Sequence, residues 1–77
     1  MEKQLSELRP GDEGVVVKVT GSPPIRRRIL DMGLVRGVRV KVIRRAPLGD
    51  PIELLLKGYN LSLRLDEAEN IYVEVKS

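Results

Sequence analysis

Seventy-seven residues hold 14 basic and 11 acidic side chains, two tyrosines, and no histidine, cysteine, phenylalanine or tryptophan. A chain this short forms one domain with a thin core, burying about 60% of its unfolded surface. Without Cys there is no disulfide framework, which fits a reducing compartment, and without Cys or His a tight iron or zinc site lacks its usual thiolate and imidazole ligands, leaving carboxylates that suit only weak binding of hard cations. The formal charge of +3 is unevenly spread: residues 1–20 sum to −1, 21–45 to +7 and 46–77 to −3. A concentrated basic segment suits an acidic partner surface, a phosphate-bearing molecule or a solvated face.

In chain order, Leu5 and Leu8 lead into Arg9-Pro10-Gly11-Asp12, where Pro then Gly sets a type II turn. Val15–Thr20 reads as a strand with Val15, Val17 and Val19 on one face and Val16 and Lys18 on the other. A helix over about residues 24–32 follows, capped by Ser22 or Pro23, with prolines in a first turn that lacks N–H partners anyway. Ile25, Ile29 and Met32 form its apolar stripe and Arg27 points away. Gly33 is placed as a left-handed stop, with Leu34 folding back. Two to three turns are unstable alone, so the helix is expected to lid a barrel.

Val35-Arg36-Gly37 turns the chain into a second strand, where Val38, Val40 and Val42 alternate with Arg39, Lys41 and Ile43. Arg44 to Pro51 reads as the main loop, held out of regular structure by two prolines and a glycine. Ile52, Leu54 and Leu56 alternate with Glu53, Leu55 and Lys57, and Gly58 makes a hairpin turn. Tyr59, Leu61, Leu63 and Leu65 are read as the inward set of the fourth strand. Asp66–Asn70 reads as one helical turn capped by Asp66. Ile71, Val73 and Val75 alternate with Tyr72 and Glu74 in the last strand. Five short alternating strands predict a mainly β chain, an antiparallel sheet rolled into a barrel. Ile43 and Leu55 fall on its outer face, covered by the helix or N-terminal segment or else offered to a partner.

Catalysis has little support. No His or Cys can activate a serine, and Ser6, Ser22, Ser62 and Ser77 read as turn, cap or surface residues. No phosphate-loop or dinucleotide motif occurs. The apolar runs Val15–Val17 and Leu54–Leu56 fall far short of the ~20 residues of a membrane span. The N-terminus lacks a basic-then-apolar secretory pattern. A cytoplasmic protein without direct membrane insertion is expected. A nucleic-acid-binding small barrel is the alternative function, since the basic segment is the footprint such proteins carry. No aromatic ring interleaves with the arginines to stack bases, which sets nucleic acid behind a protein partner.

The spacing Leu5-x-x-Leu8-x-x-Gly11-x-x-Gly14, then Arg28-Ile29-Leu30-Asp31-Met32-Gly33-Leu34-x-x-Gly37, then Ala46-Pro47-Leu48-Gly49-Asp50-Pro51, then Ala68 and Ile71-x-Val73 resembles the FeoA family from about Leu5 to Val75. The resemblance implies an SH3-like barrel with a helix between the first two long strands. It also implies a small cytoplasmic accessory or regulatory role in bacterial ferrous iron transport, with the cytosolic GTPase domain of the FeoB membrane transporter as partner. Similar domains end some metal-dependent transcription repressors. The family carries a transition-metal-binding label, but the absence of His and Cys points to a protein adaptor that holds no iron itself. No enzyme activity, cofactor or metal ligand is expected. The partner-binding candidates are Arg26, Arg27, Arg36, Arg44, Arg45, Leu48 and Asp50, with Leu48 as apolar anchor and the arginines beside its loop. Exposed sheet edges leave room for self-association.

Overall fold

Alternation sets the frame. In a computed structural model that describes residues 1–76, Ile52, Leu54 and Leu56 are buried while Leu55 faces out. They form β4 (Ile52–Leu56) of one antiparallel sheet. The others are β1 (Glu2–Gln4), β2 (Glu13–Val19), β3 (Arg39–Arg45), β5 (Tyr59–Leu63) and β6 (Ile71–Val75). Their order is β1-β6-β2-β3-β4-β5. Helix α1 (Pro23–Asp31) joins β2 to β3, and a single turn, α2 (Leu65–Ala68), joins β5 to β6. Every strand from β2 to β6 sends side chains into one apolar cluster with Leu5, Leu8, Ile29, Leu34 and Ala68. No helix among the described residues is long and apolar enough to cross a membrane. Ser77 lies outside the described residues.

The sheet has six strands where five were expected. The extra one, β1, pairs Glu2, Lys3 and Gln4 with Glu74, Val73 and Tyr72 of β6. It is held by backbone bonds, so its sequence carries no apolar alternation. A second correction concerns parity in β2. Val16 is fully buried, whereas Val15 and Val17 are only half-buried. The register against β6 shifts between Val16 and Lys18, which makes Val17 the extra residue of a bulge. The inward set therefore runs Gly14, Val16 and then Val19. A similar shift between Val42 and Arg44 leaves Ile43 40% exposed on the outer face.

Helix α1 lids the core by one end only. Ile29 is fully buried and Met32 half-buried, but Ile25, expected in the same stripe, is 41% exposed. Ser22 makes no side-chain cap; its carbonyl accepts the Arg26 N–H at 2.9 Å. The C-terminus closes as expected, with φ +96° at Gly33 and Leu34 donating back to the Ile29 carbonyl at 3.4 Å. Tyr59, expected to point inward, lies at the surface and its hydroxyl donates to the Met32 carbonyl at 3.0 Å. That bond satisfies one carbonyl at the helix end.

The cap of α2 is Arg64, two residues earlier than the expected Asp66. Glu67 reaches back to accept the Arg64 N–H at 3.1 Å, and its other oxygen lies 2.8 Å from the Arg28 guanidinium. One largely buried carboxylate thus fixes α2 and ties it to α1. Pro10-Gly11 forms the expected turn, with Asp12 N–H donating to the Arg9 carbonyl at 2.9 Å and φ +93° at Gly11.

Candidate functional site

Two of the candidates, Arg26 and Arg27, lie on α1, and the rest fall at the two ends of β3. Arg36 sits in the turn before β3, where Val38 N–H donates to the Val35 carbonyl at 3.1 Å. The Leu48 loop follows Arg45, at the far end of β3. The strand between them advances about 3.3 Å per residue, so the two ends stand roughly 20 Å apart. Arg26 and Arg27 are exposed on α1 and form no ion pair among the described residues. The expected single arginine surface beside the loop is therefore divided.

The arginines next to the loop are occupied. Arg44 and Arg45 belong to β3, not to the loop. Arg44 pairs with Glu53, its cross-strand neighbour. Arg45 is half-buried: its Nη2 donates to the Ser6 carbonyl and, at 3.0 Å, to the Leu8 carbonyl, which Nε also approaches at 3.3 Å. Its guanidinium fastens the N-terminal 3₁₀ turn (Leu5–Glu7) to the sheet. Asp50 likewise has a local task, accepting the Leu65 N–H at 3.0 Å and joining the loop to the start of α2.

These fastenings hold Leu48 out. Gly49 N–H donates to the Ala46 carbonyl at 2.7 Å, and Ala46 N–H donates to the Pro51 carbonyl at 3.0 Å, across a loop that includes a cis Asp50-Pro51 bond. Leu48 is 95% exposed at the tip and packs on nothing of its own. A large apolar side chain on a braced loop is pre-organised for burial by a partner.

At the other end lies a shallow groove of about 500 Å³. Leu55, 42% exposed, lines it with Val38 and Val40. Arg39, Lys41 and Lys57 rim it with Glu13. None of these four forms an ion pair among the described residues. The alternation of Arg39 and Lys41 with valines flagged a basic outer strand face in the sequence. Lys57 joins it only through the β3–β4 register, in which Lys41 faces Leu55. Among the described residues, no three acidic side chains converge as a metal site would need.

A six-stranded antiparallel barrel-like domain with an exposed apolar loop tip and a basic groove is the class that the fold and surface define. The FeoA domain model matches residues 3–75, and the chain belongs to that family. It is 46% identical over 74 residues to the Fe(2+) transport protein A/Fe(2+) transporter FeoB fusion protein of Porphyromonas gingivalis. That match covers 96% of this chain but 9% of the fusion protein, so the chain spans under a tenth of that relative. The FeoA protein of Chlorobium tepidum superposes with a TM-score of 0.87 at 49% identity, covering 97% of this chain and 71% of that one. Stenotrophomonas maltophilia FeoA complexed with zinc, described as a procaryotic SH3 domain protein, gives 0.77 at 29% identity over 96% and 89% of the two chains. The SH3-like expectation for the fold holds.

Proposed function

We propose that this chain is a cytoplasmic accessory protein of ferrous iron uptake. It acts by binding the cytosolic GTPase domain of a FeoB-type transporter, without catalysis and without holding iron. The observation that carries the reading is the fusion relative, in which the same kind of domain is covalently joined to FeoB. A covalent link gives two modules a high effective concentration, an arrangement of use to domains that work in contact. Iron is the transporter's cargo in this scheme. The zinc of the Stenotrophomonas protein belongs to that protein; this chain has no His or Cys with which to match it.

Leu48 is the anchor of the contact, and Arg26, Arg27 and Arg36 steer the encounter. Burying a leucine side chain contributes about 1.5–3 kcal/mol. Leu48→Ala should therefore weaken binding by roughly tenfold to a hundredfold. Arg27→Glu should mainly slow association and reduce its salt dependence. The test is a titration with the cytosolic domain of FeoB and, separately, with mixed-sequence single-stranded nucleic acid, at low and moderate salt. Saturable protein binding weakened by Leu48→Ala supports the reading. Nucleic-acid binding with a steep salt slope and no FeoB signal overturns it, and Fe(II) binding at micromolar or tighter affinity overturns the adaptor mechanism.

A further inference from the structure

The Leu48 loop and the basic groove lie toward opposite ends of β3 and are lined by opposite charge. Asp50 lies beside Leu48 in the loop, and with Pro51, Asp66 and Glu69 it borders one surface depression. Arg64 is the one cation lining that depression, whose charges sum to −2; Arg44 and Arg45 at the base of the loop are engaged, the first with Glu53 and the second with the Ser6 and Leu8 carbonyls. The groove at the other end has the reverse character: Arg39, Lys41 and Lys57 against Glu13, net +2, around the exposed Leu55. A groove of about 500 Å³ has ample room for a leucine side chain and its proline neighbour. Exposed apolar surface rimmed by charge marks a docking site.

We infer that the groove binds the Leu48 loop of a second copy of this chain. The loop and the groove sit at opposite ends of β3, so one molecule cannot satisfy both within itself. In each contact Leu48 lies on Leu55, and the Asp50, Asp66 and Glu69 carboxylates meet the Arg39, Lys41 and Lys57 cations. The contact joins unlike patches, so copies can add head-to-tail into open chains or rings, or pair reciprocally with each loop in the other's groove. The geometry and charges that carry this stand whether or not a transporter is the partner.

The test is the weight-average mass by light scattering or sedimentation, from micromolar to millimolar protein. The wild-type mass should climb with concentration to twice the monomer or beyond, a plateau at the dimer marking the reciprocal pair and continued growth the open chain. Leu48→Asp, with a repelled loop and an intact groove, should remain monomeric. The double variant Lys41→Glu/Lys57→Glu, with a spoiled groove and an intact loop, should do the same. Mixing the two variants should restore association that stops at a dimer, because each contributes one working half. Misfolding of either variant cannot produce that recovery. A wild-type protein that stays monomeric at millimolar concentration overturns the inference. So does association that persists in either variant, or a mixture that remains monomeric, which would leave the groove to an acidic segment of another protein.

Discussion

Arg45 gives the sharpest test of how these residues divide between fold and function. Its guanidinium donates to the carbonyls of Ser6 and Leu8 from the far end of β3. A hydrogen bond with one charged partner contributes roughly 1.5–3 kcal/mol. Two carbonyls lose a donor in Arg45→Ala, but the site is half-buried and water can replace part of the loss. The expected destabilisation is about 2–3 kcal/mol, a large fraction of the roughly 5–15 kcal/mol of a whole domain. For a chain this small a urea slope near 1 kcal/mol/M converts that into a midpoint lower by about 2–3 M. Arg45→Lys keeps the charge without the fork and should lose about half as much. Arg44→Ala is the control: its side chain is 73% exposed and its pair with Glu53 is a surface ion pair, contributing at most about 1 kcal/mol. Urea unfolding followed by circular dichroism reads all three. If Arg45→Ala unfolds within about 0.5 M of the wild type, Arg45 is not the strut described, and a partner surface regains its claim on it.

Other substitutions separate local rules from packing. Gly33→Ala forces an alanine into the left-handed region, at about 1–2 kcal/mol, and its Cβ would stand 2.4 Å from the Tyr59 hydroxyl. Removing that oxygen with Tyr59→Phe relieves the clash, so the two substitutions together should destabilise by about 1 kcal/mol less than their sum; strict additivity in urea unfolding would refute the contact. Val16→Ala should destabilise by about 2 kcal/mol and Val17→Ala by under about 1; the reverse order would restore the unbulged strand. Leu48→Ala should leave the unfolding midpoint unchanged, since the side chain is 95% exposed, and a clear loss of stability would contradict its isolation.

How much was legible follows from which forces write themselves into sequence. Ile52, Leu54 and Leu56 could be read because burial imposes a period of two. Gly33 and the Pro10-Gly11 pair could be read because few residues tolerate those backbone angles. Residues 2–4 were silent because β1 pairs through its backbone, which any side chain permits. Alternation puts Val16 on the wrong face because one bulged residue flips parity, and nothing in Val15-Val16-Val17 marks which valine is extra. Alternation with leucines points Tyr59 inward, whereas its hydroxyl has a partner in the Met32 carbonyl at the end of α1. The site was legible in part: Leu48 could be singled out as an apolar residue on a stiff loop. Arg45 could not be told from Arg44, because the carbonyls it serves lie more than thirty positions away. Nor does spacing along the chain reveal which end of a hairpin a charge will occupy.

Leu48 has two claims on it, and they exclude each other. Buried in the groove of a neighbouring copy, it cannot also anchor a transporter domain. Self-assembly then lowers the fraction of competent loops, and an affinity measured against total protein weakens by that fraction. Lys41→Glu/Lys57→Glu offers a clean separation, because it disables the groove and leaves the loop untouched. At low concentration this variant and the wild type should bind the FeoB domain equally. At concentrations where the wild type assembles, the variant should bind more tightly per chain, and the gap should widen as protein is added. A variant that binds more weakly than the wild type at every concentration would place the groove in the transporter contact itself, and the two ends of the hairpin would then serve one partner.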